Sequence, residues 1–589
     1  MKKHFNSNSI IKLILLCAVL PAMAQTPSFQ WAKRTFITGG ASVGDGVHTT
    51  QSTDMDIDNN GNVFIAGNAA TGFPTYATGS SYVFNGLANY SDYGFIVKFD
   101  NNGVRKWATL YGGNTSAPIS SICLDGNGNL FATGYSAFSD LFPSLNMPNA
   151  YNRNTINSYT QDAFILKFNN NGERLWATCI GADDATEEGN AIACDNAGNV
   201  FIGGRAEMAD TQNPNGWDPG DMMPLVSPAN SYSQQPNNYF NSLPFTHYED
   251  GFFAKFSAGS HALVWLTYYG GQDHDQINSI ACNSVGDLLA YGSTEAIDFP
   301  IQSKAGAYND PSLNGAIDVV LIKFRNNGER EWATYYGGSA NGAQQPANNC
   351  VDYISLYERF EKTKKIVVDK NTNDFYIINT TNATNMPVSN AEGSAFYLSG
   401  NSGGYYKAFI TKFNSNLSQR WASYFSENSF GGSLAIDPVN KKLFIVGAQG
   451  YFSSSFPAVN PLNNAWFDNA VSGSYDCFIS RFNIPSSIKT DPSIQSESSI
   501  GIEETEFGQQ ENSNLSVYPN PTTGKFILKH SETNSNVIIY SSIGEIVYKQ
   551  KLENDNNEVD LSALNNGVYF VKAVNSIDNS QKTIKIIKQ

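Results

Sequence analysis

The sequence predicts an all-β protein: a six-bladed β-propeller closed by an N-terminal strand, followed by a linker and a small C-terminal β-sandwich. Three observations predict it. Two short strings recur six times, each an alternating apolar run with an Asn/Gly cluster at its joint. The chain has 589 residues and only 15% charged side chains, but 50 Gly, 30 Tyr and 37 Phe, which excludes a coiled coil and a charge-driven disordered protein. A Ser-, Gln- and Glu-rich stretch then separates the repeats from a last segment with a different pattern. The formal net charge of −16 argues against nucleic acid or an anionic membrane surface as partner, since both need basic patches.

Residues 1–24 read as a signal peptide. Lys2, Lys3 and Lys12 precede the apolar run Leu13–Leu20, and Ala22-Met23-Ala24 places cleavage after Ala24. Leu16 stands directly before Cys17, where a lipoprotein signal needs a small residue, so soluble release is expected. The apolar run is too short for a stable anchor, and no transmembrane helix is expected elsewhere. The mature chain keeps Cys123, Cys179, Cys194, Cys282, Cys350 and Cys477, without paired spacing. Most lie in apolar strand patterns and are expected to be buried thiols.

Residues 28–483 carry the repeats. One string begins at Asp92, Asp162, Asp250, Asp318 and Lys407, with a truncated copy at Asp476. The other precedes each copy, from "DIDNNGNVFIAG" to "AIDPVNKKLFIVG". Each string is two strands joined by a tight turn, so a repeat supplies four antiparallel strands, A to D. Such a sheet cannot bury both faces alone, and stacking around an axis solves that. Strand D carries Trp107, Trp176, Trp265, Trp332 and Trp421, one fewer than the six copies of strands A to C. The missing strand is "FQWAKRTFITGG" with Trp31, expected to pair with Asp476–Phe482 and close the ring. A large aromatic at one fixed position in every unit points to packing between blades rather than to a ligand platform.

These units resemble the bacterial secreted β-propeller repeat family. The matching features are the Gly-Asn turn, Asp-Ala-Phe at strand C and Trp followed by Gly-Gly at strand D. A further one is Phe-Pro after strand B, at Phe73-Pro74, Phe142-Pro143, Phe299-Pro300 and Phe456-Pro457, with Met223-Pro224 and Met386-Pro387 in the other two units. The resemblance implies fold rather than function.

The long B–C connections predict one elaborated face opposite a flat one, and binding is expected on the loops. Each loop carries an aromatic after its Pro (Tyr82, Tyr151, Tyr232, Tyr308, Phe396 and Trp466), read as a loop anchor. Trp217 has no counterpart. With Tyr239 and His247, in the longest loop, it forms the candidate ligand-binding set. Asp56-Ile57-Asp58-Asn59-Asn60-Gly61 matches half of an EF-hand loop, but Gly67 stands where a bidentate Glu is required, so a hairpin is expected and no metal. Acids precede strand A: Asp183, Asp184, Glu187, Glu188, Asp273, Asp275 and Glu361. Glu187, Asp275 and Glu361 are equivalent positions that could converge at the axis as a carboxylate pair or cation site; a solvated acidic rim is the expectation. His274, between two Asp, is at most a weak metal cluster. The sequence has no HExxH, GxSxG or P-loop, and no cofactor is expected.

Residues 484–514 read as a flexible linker. In 515–589, short strands alternate with Pro, Gly and Asn turns, as in a small sandwich. Tyr518-Pro519-Asn520-Pro521 with Gly524, then Gly544, Gly567, Tyr569 and Lys585, make this segment similar to the type A C-terminal sorting domain of the type IX secretion system. The resemblance implies export across both membranes, with the type IX machinery as partner. The protein is then secreted or displayed on the outer-membrane surface. The chain is expected to be a binding scaffold for a glycan or surface protein and not an enzyme. The alternative is an extracellular polysaccharide-degrading enzyme with carboxylates near the propeller axis.

Overall fold

Alternating apolar residues and Asx-type turns build the same sheet again and again. The computed structural model describes residues 51–86, 92–137, 142–153, 161–182, 185–207, 222–236, 249–339, 365–391, 396–400, 406–437, 441–450, 457 and 475–484. In the tail it describes 515–520, 522–530, 535–541, 546–551, 556–562, 564, 567–575 and 581–588. Residues 1–50, which hold the expected signal peptide and the expected closing strand with Trp31, lie outside the described residues, as do 485–514 of the expected linker, Trp466 and Cys350. Contacts divide the chain into two compact units, Met1–Ile488 and Lys489–Gln589.

The described residues of the first unit form six antiparallel sheets and no helix. The first contains β1 (Gln51–Ile57), β2 (Val63–Ala69), β3 (Tyr93–Phe99) and β4 (Arg105–Tyr111). The second contains β5 (Ile119–Leu124), β6 (Leu130–Ser136), β7 (Asp162–Phe168) and β8 (Arg174–Ile180). The third contains β9 (Thr186–Cys194), β10 (Val200–Glu207), β11 (Glu249–Phe256) and β12 (Leu263–Tyr269). The fourth contains β13 (Asp275–Cys282), β14 (Leu288–Thr294), β15 (Asp318–Phe324) and β16 (Arg330–Tyr336). The fifth contains β17 (Ile366–Val368), β18 (Phe375–Thr381), β19 (Ser389–Asn390), β20 (Lys407–Phe413) and β21 (Gln419–Glu427). The sixth has three strands, β22 (Ser429–Asp437), β23 (Lys442–Gly450) and β24 (Tyr475–Asn483). Successive sheets pack through their first strands: β1 on β5, β5 on β9, β9 on β13, β13 on β17 and β17 on β22. That is a propeller-like array.

The turn chemistry is local. In the first hairpin the Asp58 carboxylate accepts the Asn60 and Asn62 backbone N–H groups and the Asn62 side-chain amide. Asp125 and Asp195 do the same in the next two sheets. These acids are therefore spent on turns, as the hairpin reading of 56–61 expects. Among the described residues no group of three His, Cys, Asp or Glu side chains could hold a metal ion.

The seams explain the rest of the repeat. Each strand-D Trp packs on the Phe that ends strand C of the following sheet: Trp107 on Phe168, Trp176 on Phe256, Trp265 on Phe324, Trp332 on Phe413 and Trp421 on Phe482. Four of these indole N–H groups donate to the backbone carbonyls of Tyr151, Tyr232, Tyr308 and Phe396. The residue that opens strand D reaches the other way. Arg174 donates to the Pro143 carbonyl and the Tyr111 hydroxyl, with its guanidinium 4.7 Å from the Tyr82 ring centre. Arg330 repeats this with Pro300, Tyr269 and Tyr232.

The long loops correct the two-face expectation. In the first five sheets, the described part of each loop runs back along the outer edge of strand D. Tyr76 bridges Ala108, Leu145 bridges Ala177, Val226 bridges Leu266, Gln302 bridges Ala333, and β19 pairs with β21. At the far end the Tyr82, Tyr151, Tyr232 and Tyr308 N–H groups donate to the C–D turn of another sheet, at Gly172, His261, Gly328 and Leu417. These described portions are thus edge covers, which protect a strand that would otherwise template aggregation. The aromatic anchors at 82, 151, 232, 308 and 396 behave as anchors.

Three of the described cysteines depart from the buried-thiol expectation. Cys123 on β5 and Cys194 on β9 form a disulfide between the second and third sheets. Cys179 and Cys282 are buried free thiols, and Cys477 is exposed.

The tail unit is a sandwich of β25 (Leu515–Tyr518), β26 (Lys525–His530) and β29 (Asn556–Asp560) against β28 (Ile546–Lys551), β27 (Ser535–Ser541), β30 (Gly567–Asn575) and β31 (Gln581–Lys588). Phe526, Leu528, Val537, Ile539, Tyr569, Val571 and Ile586 fill its core. The motif residues have structural work. Asn520 Oδ1 accepts the Ile587 N–H at 2.9 Å, and Gly524, at φ +128°, lies against Ser562, where a Cβ would not fit. Tyr518 is exposed at the end of β25, followed by Pro519. Gly567 opens β30, and Lys585 pairs in register with Phe570. Pro521 and Gly544 lie outside the described residues.

Candidate functional site

The acids before strand A separate into two groups. Glu187 is fully buried, not on an axial rim. Its carboxyl meets Asp162, the first residue of β7, across the seam between the second and third sheets. Arg153 Nη1 lies 3.0 Å from Asp162 Oδ1, and the Ala182 N–H donates to Glu187 Oε1 at 3.1 Å. Burial, then the Asp162 charge, holds Glu187 well above the ordinary carboxyl range, so the pair keeps a proton. The next seam repeats this with Asp250 and Asp275; Asp275 is buried and raised for the same first reason. In the seam after that, burial pushes Asp318 up to about 6. Both the convergent-axis reading and the solvated rim are thereby corrected for Glu187 and Asp275, which are seam groups. Asp183, Asp184 and Glu361 lie outside the described residues.

The Gly after the Trp string of the second and of the third sheet follows from these pairs. A Cβ on Gly181 would fall on the Asp162 and Glu187 oxygens, and one on Gly270 would fall on those of Asp250 and Asp275. The Asp of strand C and the Gly of strand D are one structural unit.

The second group stays near solvent. Arg205, close to the end of β10, places Nη2 2.9 Å from Glu188 Oε1 and pairs through Nη1 with Glu249. Gln161 Nε2 donates to the same Glu188 oxygen at 2.7 Å. Burial disfavours the Arg205 charge, but the Glu188 hydrogen bond and charge, with Glu249 and Glu207 beyond, raise its pKa above the ordinary value. Burial lifts Glu249, and it lifts Glu295 on the neighbouring sheet; His274 acts electrostatically on both in the opposite sense. Tyr135, at the corresponding end of β6, is pushed up to about 12 by burial and then by Glu188. The cluster gathers carboxylates, one guanidinium and a phenol at one end of three consecutive sheets. It can hold a cationic or hydroxyl-rich group, or present a carboxyl of raised pKa as an acid.

Sequence reasoning named Glu188 and His274 but missed Arg205, Glu249 and Tyr135. The available signal is a break in the repeat: the position after the strand-B glycine holds Asn68, Tyr135, Arg205 and Ser293 in the first four sheets. The predicted ligand set Trp217, Tyr239 and His247 lies outside the described residues. His261 is a packing residue, stacked 5.3 Å from Trp176 and lowered to about 4 by burial and then Lys167.

Residues 516–589 match the secretion system C-terminal sorting domain. No curated protein matches the chain. Among solved structures, a protein of unknown function from Dyadobacter fermentans is 8% identical, covering 70% of this chain and 94% of its own, with a TM-score of 0.30. A member of the DUF4221 family from Bacteroides vulgatus is 11% identical over 74% of this chain and 94% of its own, at 0.31. PorZ, a surface component of the type IX secretion system of Porphyromonas gingivalis, is 9% identical over 92% of this chain and 99% of its own, at 0.12. The chain thus ends in a sorting domain that directs export to the cell surface or medium. No helix among the described residues is long and apolar enough to cross a membrane.

Proposed function

We propose that this protein is an exported propeller that serves as a binding scaffold at or beyond the cell surface. The observation that carries this reading is the division of labour in the repeat. The recurrent Trp, Arg, Tyr, Asp and Gly positions are engaged in seams and edge covers, while a sorting domain takes the assembly outside. Recognition then falls to residues that do not repeat: the Arg205 cluster with Glu188, Glu249 and Tyr135, and the Trp217, Tyr239 and His247 loop. The partner is a glycan or a surface protein. An array of glycans and surface proteins probed with the full chain tests it. Binding lost on Arg205→Met or Trp217→Ala supports the reading; no retained ligand on either class of array rejects it.

Ring closure belongs to the same proposal. Met55 and Ile57 on β1 are 50% and 53% exposed, whereas on β5 the equivalent Ile122 is buried and the equivalent Leu124 is packed against a core cluster. Val446 and Ile479 of the sixth sheet are 39% and 73% exposed, whereas their counterparts Ala66 and Ile96 are buried. The two apolar faces are the two halves of a sixth seam. Strand D pairs its Trp with the strand-C Lys, as in Lys98–Trp107 and Lys323–Trp332, so the proposed closing strand would set Trp31 opposite Arg481. Cysteines placed at 31 and 481 should crosslink.

The enzyme reading is favoured by one observation, the raised carboxyl of Glu249 beside Arg205 and Glu188. Glu188→Gln and Glu249→Gln variants assayed on polysaccharides decide it: turnover present in the parent and lost in both variants would make the protein a hydrolase or lyase.

A further inference from the structure

We propose that the outer face of the sheet formed by β28, β27, β30 and β31 is the docking surface of the sorting domain, and that it receives an acidic protein surface with a shallow apolar pocket. The proposal rests on the export reading of the tail.

The inner side of this sheet is fixed by the core residues Val537, Ile539, Val571, Ala573 and Ile586. Strand alternation therefore turns Ile538, Lys549, Lys551, Phe570, Lys572 and Ile587 outward. Register sets Ile538 beside both Lys549 and Lys572. Phe570 and Ile587 remain 38% and 36% exposed, although each lies on an internal or well-paired strand. None of the four strands contains an Asp or Glu. The opposite face of the sandwich is built differently: Lys525 pairs with Asp560 at 3.3 Å, and Glu558 stands nearby in the same strand. One face is charge-balanced, and the other is basic with apolar residues between the lysines.

A surface ringed with carboxylates satisfies these lysines, and an apolar pocket within the ring takes Phe570. A lipid layer fits less well. The segment matches the sorting domain of a secretion system, so a protein surface is the occupant its export role calls for.

The test uses the full chain in a cell with a working secretion system. Lys549→Glu, Lys551→Glu and Lys572→Glu together should leave the folded protein inside the cell, with exported protein down about tenfold or more, because like charges now face each other. The corresponding Arg triple should export within about twofold of the parent, since charge rather than shape is read by flexible surface lysines. The opposite-face control, Lys525→Glu with Lys529→Glu, should also export normally. Folding of each variant is checked by protease resistance; should the Glu triple fail it, Phe570→Ser with intact lysines is read instead and should also be retained. Normal export of the folded Glu triple, or of folded Phe570→Ser, overturns the proposal. Sedimentation of the purified chain with phosphatidylglycerol vesicles, lost in the Glu triple, would assign the face to lipid and overturns it too. Deletion of 516–589 separates the two levels: export without the tail defeats the export reading, whereas export blocked by deletion but not by the Glu triple defeats only the face.

Discussion

The Cys123–Cys194 bond gives the sharpest stability prediction. It joins the first strands of the second and third sheets across 71 residues of sequence. In the chain-entropy account, a closed loop of this length constrains the unfolded chain by about 4 kcal/mol. That is a large part of the roughly 5–15 kcal/mol that holds a typical domain. Cys123→Ala with Cys194→Ala removes the link, and each buried sulfur lost costs something further in packing. The assay is hydrogen exchange at β5 and β9 with urea unfolding, on parent and double variant. Protection in those strands should fall by up to about a thousandfold, the equivalent of that free energy, while the tail sandwich keeps its protection. Equal protection in the two proteins would refute the reasoning, as would native Cys123 and Cys194 that both react with alkylating agent before any reductant is added.

Three further outcomes follow from the same seams. Ala193 and Cys282 lie in one core cluster at the positions that Cys123 and Cys194 occupy one seam earlier, so Ala193→Cys should form a second staple, seen by peptide mapping without reductant. Gly181→Ala drives a methyl into the Asp162–Glu187 pair and should lower stability by about 1–3 kcal/mol in urea, with Gly126→Ala, at an exposed glycine with open space around it, as the benign control. Asp318→Asn tests the buried carboxyl. Burial raises its pKa from 3.8 to about 6, so the folded state keeps a proton that the unfolded chain has lost. Stability from this group is full below about pH 4 and falls as pH rises to about 6, by about 3 kcal/mol, and the Asn variant should lack that slope in urea midpoints measured from pH 4 to 7.

Much of the fold was legible because repetition and period-two alternation are properties of the chain itself. The hairpins, the Trp positions, the aromatic loop anchors and the C-terminal sandwich follow from residue spacing. The path of the B–C loops was not legible, because edge covering depends on where strand D ends up in space rather than on loop composition. The seam carboxyls were misplaced for a similar reason. Glu187 and Asp275 sit in a sequence context that reads as polar and exposed, but their partners, Asp162 and Asp250, come from the preceding blade pattern, as does Arg153. Only the packed seam shows that two acids and a glycine share one site. Cys123 and Cys194 are likewise one residue out of phase in the repeat, which directs them to opposite faces of their strands and so toward each other. Read along the chain, that offset is a one-residue shift with no meaning.

The same logic locates function. A position filled alike in every blade meets the same neighbour each time, so its chemistry is explained by that neighbour. Arg205 breaks this rule: it lies where other sheets carry Asn68, Tyr135 and Ser293, and it draws in Glu188, Glu249 and Gln161. Two carboxylates around a partly exposed guanidinium hold one another in place, and losing the guanidinium would remove the ion-pair partner they share. Such an arrangement is expensive for stability alone, since an apolar residue at 205 would close the strand end without it. Arg205→Met should therefore separate the roles. If the cluster is structural, the variant unfolds at lower urea in proportion to the exposed carboxylates; if it is a recognition site, Arg205→Met combined with Glu188→Gln and Glu249→Gln should recover the parent's stability and still fail to bind.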